Sequence, residues 1–187
     1  MTSYQEILDF WFLPENHPDH GRERAEWFQK NEEFDRQIKD QFQDVYEKAK
    51  QGYLLSWTDH KAGTLALIIL FDQFTRNMFR GDKQAFESDG KARELARHMI
   101  SSGFYEKLSK TEQCFAALPF EHSEDIEDQI YSVSLFEAIG DPVKLDYAIR
   151  HKDIIEKFGR FPHRNEALGR KNTPEEEEYL AQPGAGF

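Results

Sequence analysis

The sequence predicts an all-α protein that forms a single domain over residues 1–187. Apolar residues recur at intervals of three and four, as they do on one face of a helix. Capping residues and glycines divide the chain into about eight segments of helical length. No segment alternates apolar and polar residues as a half-buried strand does. A chain of this length buries a sizeable core without a disulfide or a structural metal.

The first quarter of the chain contains three predicted helices. Ser3 and Glu6 have the spacing of a capping box and predict a helix at the N-terminus. A short helix is expected around Trp27. Asn31 begins a long amphipathic helix, and Gly52 ends it because glycine readily adopts the left-handed conformation that closes helices.

The middle of the chain predicts two further helices. The first begins at Thr58 and Asp59 and runs to about Phe79. The second begins near Asp89 and ends at Gly103.

The next predicted helix contains a proline. Ser109 and Glu112 form a second capping-box pattern that begins it. We expect Pro119 to interrupt this helix, because proline cannot donate the backbone hydrogen bond that a helix requires. Ser123 then begins a helix that runs to Gly140.

Two N-terminal caps followed by proline mark the last helices. Asp141 precedes Pro142, and this helix reaches Gly159. Thr173 precedes Pro174 in the same way. On the segment between residues 124 and 139, apolar residues lie on opposite sides, which predicts a helix packed on both faces. These residues are Ile126, Ile130 and Val133 on one side and Tyr131, Leu135 and Ala138 on the other.

The charge distribution argues against nucleic acid as a partner. The formal net charge is −11, whereas a protein that binds the phosphate backbone needs a dense basic surface. Two short segments nevertheless carry a positive excess: residues 72–81 have a net charge of +1 and residues 159–171 have +3. These positive segments in an acidic chain direct the search for a site.

Several functional classes lack their sequence signature. The lone Cys114 excludes an internal disulfide and suits a reducing compartment, and no signal peptide is evident, so we expect a cytoplasmic protein. The longest apolar run, residues 65–71, is too short to span a membrane. No zinc motif, di-iron motif, phosphate-binding glycine loop or nucleophile elbow occurs, so we predict neither a metal nor another cofactor. The sequence does not predict an oligomeric state.

The first candidate segment lies on the helix that ends near Phe79. At 100° per residue, Asp72, Arg76 and Arg80 lie along one side, and Asn77 lies beside them. Charges on a line that begins among buried residues must be paired or must line a groove, because an unpaired buried charge is costly. The simpler alternative is an ordinary pair between Asp72 and Arg76 within the helix.

The second candidate segment is the connector FGRFPHRN, which carries Arg160, His163, Arg164 and Asn165. Arginine presents forked donors that match a carboxylate or a phosphate, and histidine changes its charge near neutral pH. The alternative is a rigid connector whose arginines bind the carbonyl groups at helix ends.

Glu121, His122 and His151 complete the candidate set. Glu121 and His122 are adjacent and precede a helix, so they have the residue types for acid–base chemistry. The alternative is a simple helix N-terminus capped by Ser123. His151 lies among apolar residues of its helix, where a histidine is more often a hydrogen-bonded core residue than a ligand.

Long motifs give the chain a specific resemblance. The strings LIILFDQFTRNMFRG (67–81), LPFEHSE (118–124) and FGRFPHRNEALGR (158–170) resemble those of the bacterial domain-of-unknown-function family nine-two-four, DUF924. One departure is Thr75, where proline is expected in similar proteins. The resemblance implies a tetratricopeptide-like α-α superhelix. It implies no reaction.

Three functional hypotheses follow from these residues. The first is a groove that binds a small anionic ligand or a peptide carboxylate, because such folds present a concave surface. The second is a hydrolase or transferase that acts on a small anionic substrate, with Glu121, His122 or His163 as acid or base. The third is a purely structural polar core without a ligand. The binding residues of the first hypothesis are Asp72, Arg76, Asn77, Arg80, Glu121, His122, His151, Arg160, His163, Arg164 and Asn165.

Overall fold

The structure, a computed structural model, describes residues 2–186 and confirms the all-α prediction. Within this range the chain forms α-, 3-10 and π-helices joined by loops, with no strand. The α-helices are α1 (Tyr4–Phe12), α2 (Glu32–Lys50), α3 (Lys61–Ile68), α4 (Thr75–Met78), α5 (Asp89–Ser101), α6 (Lys110–Glu121), α7 (Ile126–Ile139), α8 (Pro142–Phe158) and α9 (Pro174–Leu180).

Several predicted capping residues form side-chain caps where the sequence indicates. Both halves of the capping box form at Ser3 of α1 and at Thr173 of α9. Asn31 caps α2 through the backbone N–H of Phe34. The Asp141 carboxylate accepts hydrogen bonds from the first turn of α8. These bonds satisfy backbone N–H groups that have no partner inside the helix.

The predicted helix start at Thr58 and Asp59 is wrong. These residues lie in a 3-10 segment (Leu55–Asp59), and α3 begins at Lys61.

The expected interruption at Pro119 is wrong in position. Pro119 lies inside α6, and the helix continues for two residues to Glu121 before it ends. Pro119 has no N–H to donate to the carbonyl of Phe115, and the helix ends two residues later. The next helix begins at Ile126 with Asp125 as its N-cap, and Ser123 is not the cap.

α3 and α4 are joined without a break by a π-helical segment, Ile69–Phe74. All six residues of the segment are buried. The turn is wider than an α-helical turn by one residue, and such turns often occur at functional sites. The segment contains Asp72, the first residue of the candidate set.

The described chain divides into two compact units. Unit 1 comprises residues 2–80 and 84–119, and unit 2 comprises residues 81–83 and 120–186. The single-domain expectation stays a prediction.

Unit 1 is built around α3, which packs against α1 and α5, while α2 packs against α4. Aromatic side chains fill the space beside α1. The Trp11 ring meets Phe74 and Phe115 edge to face, with ring centroids 5.6 and 5.4 Å apart. Edge-to-face contacts of this kind add to the stabilisation from apolar burial.

Unit 2 contains the helix pair α7 and α8 and the segment that leads to α9. Its apolar core includes Ile154, Ile155 and Phe161. The expectation that α7 packs apolar residues on both faces is wrong, because Ile130 and Tyr131 are exposed. The buried side of α7 includes the polar residues Asp128, Gln129 and Ser132.

Two further properties bear on the expectations from the sequence. No helix within residues 2–186 is long and apolar enough to cross a membrane. The tetratricopeptide-like arrangement of the helices stays a prediction.

Candidate functional site

Arg76 in unit 1 lies between two buried aspartates. Its guanidinium group binds Asp89 through both terminal nitrogens, at 2.9 and 3.1 Å, and its Nη1 lies 3.2 Å from Oδ1 of Asp72. Nη1 also donates to the backbone carbonyl of Asp72 at 2.6 Å. Gln73 donates its side-chain amide to the second oxygen of Asp72. The predicted pair of Asp72 and Arg76 therefore belongs to a larger network.

The two aspartates fix the charge of Arg76. Burial alone would lower the pKa of the guanidinium group, but the charges of Asp72 and Asp89 raise it above its ordinary value. The fork of Arg76 is already occupied by a carboxylate in the bidentate geometry that arginine favours. This arrangement explains how charges are accommodated beside the buried π-helical segment.

Arg80 and Asn77 of unit 1 bind a single carboxylate of α2. Asp35 accepts hydrogen bonds from Nε and Nη2 of Arg80, at 2.8 and 2.9 Å, and from the Asn77 amide at 2.7 Å. Asp35 was not predicted as a site residue. Asp35 lies in the first turn of α2, where an acidic residue is favoured by the helix dipole alone. Its position in the sequence therefore did not indicate a bond to Arg80.

The connector after α8 in unit 2 is held by the capping residue of α9. Arg160 binds Glu176 through Nε and Nη2, at 2.6 and 2.8 Å, and also donates to the backbone carbonyl of Lys171. Asn165 donates to Glu176 at 3.3 Å. The hydrogen bond from Arg160, with further bonds from the Thr173 backbone and Asn165, lowers the pKa of Glu176 to about 2.

A second arginine–carboxylate pair fixes Phe161 within the connector. Arg170 binds both oxygens of Glu124, at 2.7 and 2.9 Å, and donates to the backbone carbonyl of Phe161. The backbone N–H of Phe161 donates to Glu124 at 2.8 Å. Both backbone polar groups of this buried residue are thereby satisfied, as buried groups require. The arginines of this region thus bind mainly carboxylates, rather than the carbonyl groups at helix ends that the simpler alternative invoked.

The remaining candidates gather around the Phe161 ring in an arrangement that we call the histidine–arginine cluster. It consists of Glu121, His122, His151, His163 and Arg164 with Phe161. The His151 and His163 rings lie 5.6 and 5.5 Å from the Phe161 ring, and the Arg164 guanidinium carbon lies 4.6 Å from its centroid. The His122 and His151 rings are 6.2 Å apart. Glu121, His151 and Arg164 are buried, whereas His122 and His163 are partly exposed.

Gln129 of α7 positions the start of this cluster. Its side-chain amide donates to the backbone carbonyls of Glu121 and Ser123, at 2.6 and 2.7 Å. Gln129 is completely buried. These bonds hold the turn after α6, which carries Glu121 and His122.

His151 has a defined hydrogen-bonding direction. Its Nδ1 lies 2.8 Å from the carbonyl of Tyr147 and 3.3 Å from Oε1 of Glu121. Two oxygens at Nδ1 favour the tautomer with its proton there, which leaves Nε2 as an acceptor. Burial, followed by the charges of His122, His163 and Arg164, lowers the pKa of His151 to about 3, although the Tyr147 carbonyl opposes this. His151 is therefore neutral at physiological pH.

The predicted site residues form groups that differ in the unit they belong to and in the partners they bind. Asp72, Arg76, Asn77 and Arg80 lie in unit 1, and their polar groups bind aspartates or neighbouring amides. Arg160 and Asn165 bind Glu176 in unit 2. Among the predicted site residues, the histidine–arginine cluster is where three titratable rings and a guanidinium group come together.

The carboxylates that complete these pairs were not in the predicted site. They are Asp35, Asp89, Glu124 and Glu176, and Arg170 was missing with them. Glu176 is the second residue of the capping box at Thr173. Because this local role already accounts for a glutamate here, the sequence did not indicate its bond to Arg160. A useful signal was the acidic first turn of a helix, because such residues also served as partners for distant arginines.

The side chains of residues 2–186 do not form a metal site. No group of three or more His, Cys, Asp or Glu side chains in this range is placed to hold a metal ion.

Comparisons with known proteins agree with the resemblance of the sequence motifs. The family model described as bacterial protein of unknown function, DUF924, matches residues 7–184. A solved structure of a protein of unknown function from Agrobacterium tumefaciens is similar, with a TM-score of 0.86 and 39% sequence identity over 95% of this chain and 96% of that chain. The comparison with curated proteins gave no match. These similarities assign the fold without assigning a ligand or a reaction.

Proposed function

Because the chain belongs to DUF924, a family of bacterial proteins of unknown function, we propose a function from its own side chains: binding of a small anion, carboxylate or phosphate, at the histidine–arginine cluster. The observation that carries this proposal is the convergence of His151, His163 and Arg164 on Phe161, with His122 beside His151. The lone Cys114 favours a reducing compartment, so we expect this binding in the cytoplasm.

The electrostatics of the cluster support an anionic ligand. His122, His163 and Arg164 each place positive charge where it disfavours the protonation of His151. An anion that enters the cluster would offset this repulsion and accept hydrogen bonds from the same groups. The partly exposed rings of His122 and His163 provide the side from which a small ion reaches the buried members.

The arginines outside the cluster have structural roles in this proposal. Arg76, Arg80 and Arg160 each bind one carboxylate of the chain through two guanidinium nitrogens. An external anion would have to displace these carboxylates and leave them uncompensated, which costs several kcal/mol for buried pairs. The proposed anion site therefore contains only the histidine–arginine cluster, which has fewer residues than the site that the sequence predicted.

The experiment is a calorimetric titration with inorganic phosphate and, separately, acetate at fixed ionic strength, at pH 6 and pH 8. We expect saturable binding of at least one anion, because the permanently charged guanidinium group of Arg164 contributes at both pH values. Arg164→Gln and His163→Gln should weaken the binding at least tenfold. The matched control is Arg150→Gln, which removes an exposed arginine of unit 2 that pairs with Asp146.

Two results would count against this function. One is the absence of saturable binding for both anions at both pH values. The other is equal affinity for the wild type and the folded Arg164→Gln variant, as judged from circular dichroism.

The contact between Glu121 and His151 favours a second function, acid–base catalysis on a small anionic substrate. Glu121 lies near Nδ1 of His151, in the position of a carboxylate that orients a catalytic histidine. The lowered pKa makes His151 a weak base at neutral pH, so we rank catalysis below binding. Turnover of an ester, a phosphate monoester or an amide that is lost in Glu121→Gln and His151→Gln would reverse this ranking.

A further inference from the structure

Unit 1 contains an open cleft at the C-terminal end of α1. None of its lining residues belongs to the proposed anion site. The cleft has a volume of about 370 Å³, which is within the range of pockets that hold small molecules. Its lining residues come from α1, the following loop and the first turns of α2. They are Asp9, Phe10, Leu13, Arg24, Glu26, Asn31, Glu33, Phe34 and Gln37.

Carboxylates outnumber cations in the lining. Asp9, Glu26 and Glu33 carry negative charge, and Arg24 is the cation among the lining residues. Glu33 is partly compensated by Arg36 outside the lining. Asp9 accepts a hydrogen bond from the neutral amide of Gln5. The cleft therefore has a negative potential that Arg24 does not cancel.

Arg24 is committed to the protein rather than to a ligand. Its Nη1 donates to the backbone carbonyls of Phe10 and Trp11, at 2.8 and 3.0 Å. Its contact with Glu26 is long, at 3.6 Å. Arg24 thus closes the end of α1 by satisfying its carbonyl groups, which leaves Glu26 and Asp9 as the acidic groups with room for an additional partner.

Two phenylalanine rings lie beside these carboxylates. Phe10 and Phe34 are stacked, with centroids 5.2 Å apart and an angle of 19° between the ring planes. The Arg24 guanidinium carbon lies 5.5 Å from the centroid of Phe34. Phe34 is 5% exposed and its ring is covered by Phe10 and Arg24, so the partly exposed Phe10 and Leu13 provide the apolar surface of the cleft.

The backbone at the edge of the cleft is held in an unusual conformation. Leu13 has φ 67° and ψ 157°, a region that is almost restricted to glycine. Its carbonyl oxygen lies 2.6 Å from Nδ1 of His20, and the carbonyl of Trp11 accepts a bond from the indole of Trp27. The surrounding bonds maintain the strained residue, so this wall of the cleft is formed before a ligand arrives.

A second cavity of unit 1 provides a comparison. It has a volume of about 230 Å³ and contains two aspartates and a lysine, but its lining has no aromatic residue. Carboxylates occur in both cavities, whereas carboxylates next to aromatic rings occur in the larger one. This combination selects a cation that has apolar carbon as well as charge.

From this combination we infer that the cleft of unit 1 binds an organic cation, an ammonium or guanidinium group carried on a short alkyl chain. The alkyl chain lies against Phe10 and Leu13, and the charged end is placed between Asp9 and Glu26. A free alkyl diamine and the side chain of a lysine or arginine in a peptide share this chemistry. A simple metal ion lacks the apolar part and makes no use of the rings.

The test is a titration of the full-length protein with putrescine and with N-acetyl-lysine amide at constant ionic strength, followed by calorimetry and tryptophan fluorescence. Butyrate, an anion of similar size, is the ligand control. We expect saturable binding of at least one cation and none of butyrate. Stronger binding of putrescine indicates a free amine as the natural ligand, and stronger binding of the lysine derivative indicates a peptide side chain.

Three variants locate the binding in the cleft. Asp9→Asn and Glu26→Gln are nearly isosteric, and each should weaken cation binding about fivefold or more, because each removes one charge from the contact. Phe10→Leu should weaken it by a similar factor, since leucine keeps apolar area but loses the ring. Asp44→Asn, in the smaller cavity, is the matched control and should bind as the wild type does.

The inference is overturned if neither cation binds saturably. It is also overturned if Asp9→Asn, Glu26→Gln and Phe10→Leu all retain wild-type affinity, or if butyrate binds as well as putrescine. A wild-type melting temperature for Asp9→Asn and Glu26→Gln establishes that these variants fold, so a loss of binding is not a loss of structure.

Discussion

Removal of Arg76 tests whether its network is structural. We expect Arg76→Ala to lower the free energy of unfolding by about 3–5 kcal/mol, because Asp72 and Asp89 are buried and would lose their shared counter-charge. Chemical denaturation followed by circular dichroism measures this change.

Arg150→Ala is the matched control for this experiment. Arg150 and Asp146 form a pair with 2.7 Å between nitrogen and oxygen, and both side chains are more than half exposed. Exposed pairs contribute about 1 kcal/mol or less. Equal effects of the two substitutions would contradict the structural role of Arg76.

His151 makes stability depend on pH in a definite direction. Its pKa is about 3 in the folded protein, below the ordinary value of 6.5. The unfolded chain therefore binds a proton between these values that the folded protein does not, and stability is lost as the pH falls below about 6.5.

We expect this group to remove about 2 kcal/mol of stability between pH 7 and pH 5. The measurement is the free energy of unfolding of the wild type and of His151→Leu across this range. The variant should show the shallower dependence on pH. Parallel curves would mean that His151 titrates normally in the folded protein.

At the scale of helices, two glycines with the same apparent role should respond oppositely to alanine. A Cβ at Gly63 of α3 would lie 2.3 Å from the backbone oxygen of Trp57, so the backbone must move. A Cβ at Gly90 of α5 meets nothing within 4 Å. Alanine otherwise favours a helix by about 0.5–1 kcal/mol over glycine.

We therefore expect Gly63→Ala to lower the free energy of unfolding by about 2 kcal/mol or more and Gly90→Ala to raise it slightly. Thermal or urea denaturation of the two variants side by side gives the comparison. Stabilisation by both substitutions would show that α3 does not approach the 3-10 segment of Leu55–Asp59 as closely as described.

Helix boundaries were predictable where they depend on neighbouring residues. Ser3, Asn31, Asp141 and Thr173 form their caps because donor and acceptor lie within three residues of each other. The role of Pro119 was harder to predict, because local sequence does not reveal that a helix will end two residues later. The exposed Ile130 shows the same limit, since apolar spacing marks a helix but does not identify the face that is buried.

The partners of the candidate residues depend on contacts between distant parts of the chain. Arg80 and Asp35 are separated by 45 positions and Arg170 and Glu124 by 46. No local spacing rule connects residues so far apart. The sequence therefore singled out Arg76, Arg80 and Arg160 but not Arg170, and it did not reveal that carboxylates of the chain itself bind them.

The charge of the whole molecule predicts its response to salt. The net charge is −11, so negative charges outnumber positive ones and repel one another at neutral pH. We expect the melting temperature at pH 7.5 to rise by a few degrees between about 10 and 200 mM sodium chloride, because salt screens this repulsion.

The same titration at about pH 5, close to the sequence pI of about 5.1, is the control. The net charge is small there, so the increase should largely disappear. A melting temperature at pH 7.5 that falls with salt would mean that attractive ion pairs outweigh the repulsion.

The π-helical segment adds one residue to the continuous helix that α3 and α4 form. A π turn accommodates one residue more than an α turn, so deleting a single residue from Ile69–Phe74 would return the segment to α-helical geometry. The residues that follow would keep nearly their present direction relative to α3, because the wide turn holds its extra residue within the same rotation. A deletion in the regular part of α3 has no wide turn to absorb it, so it would rotate every later residue by about 100°. Arg76 would then turn away from Asp89, and Arg80 would turn away from Asp35. The π-helical segment is therefore a place on this continuous helix where the chain can lose one residue and still keep both ion pairs.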